Sequence, residues 1–236
     1  MSAEMLQFPP TTMVKASYYY LGPENKFEVK TVDPTFTHIF WAFAQIDSSS
    51  HEVDISTMNL PQFYKFAEIV KTNEQLQILL SIGGKNAEKN MFDSMTRTLE
   101  NRKAFIESSI DVARTYGFHG LDLAWEYPSN KVEVGNFRHL IEEWRVAVQK
   151  DSVKTGKLPL LLTAAVRYSP DVNSSLQYPV DAIAKNLDFV NIMSYDFYGP
   201  DWSDVTRPPA ALYPSDPEVF LLWVSSLTSS EEDLGF

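Results

Sequence analysis

Phe118-His119-Gly120-Leu121-Asp122-Leu123-Ala124-Trp125-Glu126-Tyr127-Pro128 puts acidic residues inside a run that otherwise reads as a buried strand. Strand side chains alternate faces, so Asp122, Ala124 and Glu126 share one face while Leu121, Leu123 and Trp125 share the other. The second set is apolar and suits packing against helices, which predicts Trp125 in the core. The first set then looks into a barrel lumen, with Glu126 at the carboxyl end of the strand, where barrel enzymes keep their chemistry.

The flanking sequence repeats this pattern of strand and helix. Strands are predicted at Val14–Tyr20, His38–Gln45, Leu76–Ile82, Leu158–Val166 and Leu187–Tyr195, each an apolar run with aromatic or β-branched residues. Pro159 falls near the start of its strand, where a missing amide is tolerated. Helical spacing of apolar residues marks Leu60–Lys71, Asn101–Tyr116, Val132–Lys150 and Tyr178–Lys185, with a loop at Leu21–Lys26 and a polar turn at Lys154–Lys157. Strands alternating with helices over this length imply a parallel sheet of βα units. Six strands are counted to Tyr195. Beyond them Glu218–Leu227 could supply a helix, but Glu231–Phe236 does not read as a strand.

Composition narrows the function. With 44% hydrophobic residues the chain can build a real core, which argues against disorder. Its 31 acidic residues outnumber 20 basic ones, so no basic surplus exists to meet phosphates, and neither nucleic acid nor an anionic membrane is expected as a partner. A neutral sugar polymer would be indifferent to that charge. There is no cysteine, which removes disulfides, thiolate metal sites and cysteine nucleophiles from consideration. No metal and no cofactor is expected. No apolar run approaches the ~20 residues of a membrane span. The stretch Met1–Val14 lacks the apolar core, about 7–15 residues, of a signal peptide. Asn173-Ser174-Ser175 is formally a glycosylation acceptor, a tripeptide common by chance.

Two carboxylates on a strand would, alone, be better explained as solvated acids. The whole stretch, however, resembles the signature of glycoside hydrolase family 18, the chitinases: Asp-Gly-x-Asp-x-Asp-x-Glu on the fourth barrel strand, written His-Gly-Leu-Asp-Leu-Asp-Trp-Glu-Tyr-Pro in plant class V members. Further segments resemble the same family. His38-Ile39-Phe40-Trp41-Ala42-Phe43-Ala44 matches its second strand, Ser81-Ile82-Gly83-Gly84 its second signature, and Met193-Ser194-Tyr195-Asp196 its Met-x-Tyr-Asp motif. The resemblance implies a (β/α)8 barrel fold of the α/β class. It covers about residues 14–215, so only about six βα units are expected. In domain terms, 1–13 is read as a tail, 14–205 as a partial catalytic-type barrel and 206–236 as a divergent segment.

The resemblance also implies roles. In this family the substrate's own N-acetyl oxygen attacks the anomeric carbon. Glu126 would give a proton to the leaving oxygen, with Asp122 relaying behind the motif's last aspartate and Tyr195 hydrogen-bonding the acetamido group. Asp196, Ser81, Gly83, Gly84, Tyr127, Tyr198 and Trp202 would line the sugar site. The departure is Ala124, which stands where that last aspartate belongs. Losing one group that meets charge in the transition state costs on the order of 10²–10³ in rate. The expected function is therefore an impaired chitinase-like hydrolase of β-1,4-linked N-acetylglucosamine polymers. The alternatives are a lectin-like binder of chitin oligosaccharides and an inactive truncated product. Plant members of the family are usually secreted or vacuolar.

Overall fold

The computed structural model describes residues 13–20, 35–56, 58, 60–64, 75–85, 87–173 and 175–210. The chain divides into two compact units, 1–192 and 193–236.

The first unit is built on one curled sheet. Its main strands are β1 (Ala16–Tyr20), β2 (His38–Ile46), β4 (Gln77–Gly83), β5 (Gly120–Ala124), β6 (Leu161–Arg167) and β9 (Phe189–Met193), hydrogen-bonded in that order. Pairing is parallel from β1 through β6. The two-residue β3 (Val53–Asp54) pairs antiparallel with β2, and β7 (Asp171–Asn173) and β8 (Leu176–Gln177) form a separate hairpin. Strands buried on both faces need apolar residues on both, which is why β2 reads as a continuous run: Ile39 and Trp41 join the core under the helices, while Phe40 and Ala42 turn inward.

Contacts across the inside establish the curl. Phe189 meets His38 and Phe40 edge-on, with ring centroids 5.1 and 6.3 Å apart. Asn191 Nδ2 donates to the Tyr18 hydroxyl at 3.0 Å. The two ends of the strand order thus face each other across a lumen. Six of the eight strands of a (β/α)8 barrel lie among the described residues.

Helices α1 (Lys89–Arg97), α2 (Leu99–Tyr116), α3 (Lys131–Thr155) and α4 (Val180–Asn186) accompany the sheet. Helix α3 begins where Asn130 Oδ1 accepts from the amides of Val132 and Glu133, both at 3.0 Å. Glu133 returns the contact by accepting from the Ser129 amide at 2.7 Å, so three otherwise orphaned amide donors are satisfied. Its apolar stripe, Phe137, Leu140, Ile141, Trp144 and Val148, is buried. Each such side chain contributes about 1.5–3 kcal/mol by leaving water. The Trp144 indole adds a bond to Ser109 Oγ at 3.0 Å that ties α3 to α2.

Every predicted strand is present, shifted by a few residues. The polar turn predicted at Lys154–Lys157 is corrected: α3 runs through Thr155, because nothing before Gly156 breaks a helix. The fifth predicted strand starts at Leu161 rather than Leu158, which is exposed and gives its carbonyl to Arg114 Nη2 at 2.9 Å. Helix α1, β3 and the hairpin were not predicted. The signal for α1 was Met91, Phe92 and Met95, on one helical face. Residues 60–64 are helical as predicted; the rest of Leu60–Lys71 lies outside the described residues, as do Leu21–Lys26, Glu218–Leu227, Glu231–Phe236 and nearly all of Met1–Met13. Asn173–Ser175 spans the β7–β8 turn, with Ser174 outside the described residues.

Candidate active site

The register places Ser81, Asp122 and Thr163 side by side on β4, β5 and β6, facing the lumen. Asp122 is fully buried, and both its oxygens are engaged. Oδ2 accepts from Ser81 Oγ at 2.7 Å and from the Tyr18 hydroxyl at 2.9 Å. Oδ1 accepts from Thr163 Oγ1 at 2.6 Å and from Asn191 Nδ2 at 3.2 Å. Burial pushes the Asp122 carboxyl above its ordinary value, and these hydrogen bonds from Ser81, Thr163, Tyr18 and Asn191 offset only part of that rise. Tyr18, Thr163 and Asn191 were not singled out from sequence. Thr163 and Asn191 could have been, since each is a polar residue inside an otherwise apolar strand.

One step toward the carboxyl ends the lining becomes small. Gly83 pairs with Ala124, and Ala165 follows in the phase of Thr163. Ala124 is 3% exposed and brings no polar group to this level. Glu126 comes next in the same phase, beyond the end of β5, and is exposed. From bottom to top the β5 face therefore offers a saturated carboxylate and then a methyl group, and the exposed Glu126 follows beyond the strand's end.

The predicted Gly83-Gly84 pair is required by close approach. Gly83 has φ +109°, and a Cβ there would lie 2.6 Å from the Ala124 carbonyl oxygen and collide with Phe92 Cζ. Gly84 has φ +74°, and a Cβ would sit 2.8 Å from the Phe43 ring. With no side chain in the way, the Gly84 amide donates to Ala124 O at 2.8 Å. The two signatures are thus joined by backbone as well as by Ser81 and Asp122.

A cavity of about 380 Å³ opens beside Glu126, between the β4–α1 loop and the β5–α3 loop. Gly84, Lys85, Glu88, Phe92, Glu126, Tyr127 and Glu133 are among its lining residues. Trp125 is in the core, as its phase predicted: it is 4% exposed and stacks on Phe92 at 5.2 Å with 10° between the rings. Tyr127 is partly exposed at the rim, with the Arg167 guanidinium 5.4 Å from its ring centroid.

Tyr195, Asp196, Tyr198 and Trp202 belong to the second unit, where the described residues are 193–210. They form a compact turn. Trp202 covers Gly199 and donates its indole N–H to Asp196 O at 3.1 Å, and Asp196 takes a left-handed φ of 57°. Arg207 lies 5.5 Å from the Tyr198 ring centroid. Tyr195 and Trp202 are both exposed. Among the described residues no group of three His, Asp or Glu side chains could hold a metal ion, and no helix is long and apolar enough to cross a membrane.

The known proteins that this chain resembles fall together. The chain is 52% identical to a class V chitinase of Arabidopsis thaliana over 204 residues, which is 86% of this chain and 53% of the relative. It superposes on a mutant class V chitinase from Nicotiana tobaccum, solved in complex with NAG4, with TM-score 0.80 and 38% identity, covering 90% of this chain and 62% of that one. A chitinase-like agglutinin from Robinia pseudoacacia matches with TM-score 0.79 and 40% identity, covering 91% and 66%. The chain spans about half the length of the curated relatives it matches. The family described as Glycosyl hydrolases family 18 matches residues 16–231, and the chain belongs to that family.

Proposed function

We propose that this chain binds β-1,4-linked N-acetylglucosamine oligomers at the carboxyl ends of β4 and β5, and that hydrolysis there is impaired. The carrying observation is that Ala124, with only a methyl group, is the next residue after Asp122 on the lumen face of β5, two residues before Glu126. In the family's reaction, the last motif aspartate would hold the substrate's acetamido group while its oxygen attacks the anomeric carbon. Ala124 has no acceptor for that N–H and no charge for the cationic intermediate. Asp122 is a poor substitute, because all four of its donors come from the protein. Glu126 remains as proton donor to the leaving oxygen. A slow hydrolase that still binds is the consequence, since Ser81, Gly83, Gly84 and Tyr127, the sugar-lining residues that the resemblance implies in this unit, are all kept.

A binding role is also supported by the 40% identity to the chitinase-like agglutinin of Robinia. The test is calorimetric titration with N-acetylglucosamine tetramer, run beside release of a fluorescent aglycone from a chitobioside, for the wild type and Glu126→Gln. Saturable binding in both proteins, with a slow release that vanishes in Glu126→Gln, is expected. Absence of binding by a protein that melts cooperatively overturns the reading. Release that persists in Glu126→Gln overturns the assignment of the acid.

A further inference from the structure

The first unit contains six arginines, and five of them are ion-paired with carboxylates. Of the six, Arg167 alone has no carboxylate within ion-pairing distance among the described residues. In a chain with 31 acidic residues against 20 basic ones, carboxylates are not scarce, so an arginine without one is a placed charge. Among the described residues its guanidinium makes a single hydrogen bond, from Nη1 to the Val172 carbonyl at 3.3 Å. What holds it is aromatic: its Cζ lies 5.4 Å from the Tyr127 ring centroid and 5.8 Å from that of Tyr168. Ring contacts fix a guanidinium without neutralising it. The cation keeps its charge and most of its N–H donors.

Its location gives that charge a use. Arg167 ends β6, in the strand phase of Thr163 and Ala165. Tyr127, the ring it rests on, follows Glu126 directly and lines the same cavity as Glu126. The cation is therefore one ring away from the proposed sugar site.

We propose that Arg167 is a specificity-determining residue, supplying the counter-charge for an oxyanion substituent, a sulfate ester or a carboxylate, on the N-acetylglucosamine oligomer bound against Tyr127. This rests on the function proposed above and narrows its substrate class. An unmodified oligomer can take only a hydrogen bond from Arg167, whereas an oxyanion takes a charge-assisted and geometrically matched one.

The test is calorimetric titration of the whole chain with unmodified, sulfated and carboxymethylated N-acetylglucosamine tetramers at low and high salt. At least one anionic tetramer should bind about tenfold more tightly than the unmodified one, the scale of one charged hydrogen bond. Which of the two gains identifies the oxyanion. The preference should shrink with salt, vanish in Arg167→Gln and persist in part in Arg167→Lys, which keeps a point charge but loses the planar fork. Equal affinity of all three tetramers for the wild type, or an anion preference that survives Arg167→Gln, overturns the proposal while leaving sugar binding intact. If no tetramer binds, the sugar-binding reading falls and takes this one with it.

Discussion

Ser81 and Asp122 stand opposite each other in the β4–β5 register, and the Ser81 hydroxyl donates to Asp122 Oδ2 at 2.7 Å. Two motifs 41 residues apart are in this way parts of one network. A buried carboxylate without donors would carry an uncompensated desolvation cost, so the serine and its neighbours are what allow an aspartate in the lumen floor.

That network makes stability depend on pH through Asp122. Burial raises its folded pKa above the ordinary value. As pH climbs past about 3.9, the unfolded chain releases this proton before the folded chain does. The stabilising contribution is complete below the unfolded value and is lost as pH rises through the folded one. Asp122→Asn removes the titration. We expect the unfolding free energy of wild type minus variant to fall as pH rises from about 4 toward neutrality. Urea melts of both proteins at several pH values check this, and a flat difference contradicts it.

Gly83→Ala should be costly, since φ +109° is unfavourable for a side chain and the added Cβ would lie 2.6 Å from Ala124 O. The expected loss is at least about 2 kcal/mol, read as a lower urea midpoint at unchanged slope. A change within about 0.5 kcal/mol would mean the backbone relaxes freely there.

Ala124→Asp restores the missing acceptor at the middle level of the lumen face. Aglycone release should rise, with a ceiling of about 10²–10³ set by one transition-state contact. The gain should disappear in the double variant with Glu126→Gln. Because position 124 is buried, the new carboxylate should also lower the melting temperature near neutral pH more than at acid pH, where it is protonated. An unaltered rate in a folded variant would remove Ala124 as the cause of impairment.

Arg102 is 8% exposed, donates to both Glu143 oxygens at 2.9 and 2.6 Å, and places Nη1 on the Thr96 carbonyl at 2.9 Å. Glu143→Ala strands the guanidinium and should cost about 2–3 kcal/mol, discounted because the glutamate is partly solvated. The neighbouring pair Arg138–Glu142, at 3.5 Å on the surface, is the control. Glu142→Ala should cost under about 1 kcal/mol. Equal losses in the two variants would refute the distinction drawn from burial.

Much of this was written in the linear sequence. Period-two alternation assigned Asp122 and Glu126 to one face and Trp125 to the other, and the folded chain keeps that division: Trp125 stacks on Phe92, while Asp122 faces Ser81. Runs such as Ile39–Ala42 are apolar at every position because both faces are covered, and the alternation of such strands with helices implied a parallel sheet. Periodicity, however, specifies a face and not a neighbour. That Tyr18 reaches Asp122 across 104 residues, and Asn191 reaches Tyr18 across 173, follows from strand register and sheet curl, which no local pattern encodes. The same holds for Arg167, whose strand position could be read from sequence. That it would rest on Tyr127, and find no carboxylate among the described residues, was settled only when the ends of β5 and β6 came together, because ion pairing depends on distances that tertiary packing alone sets.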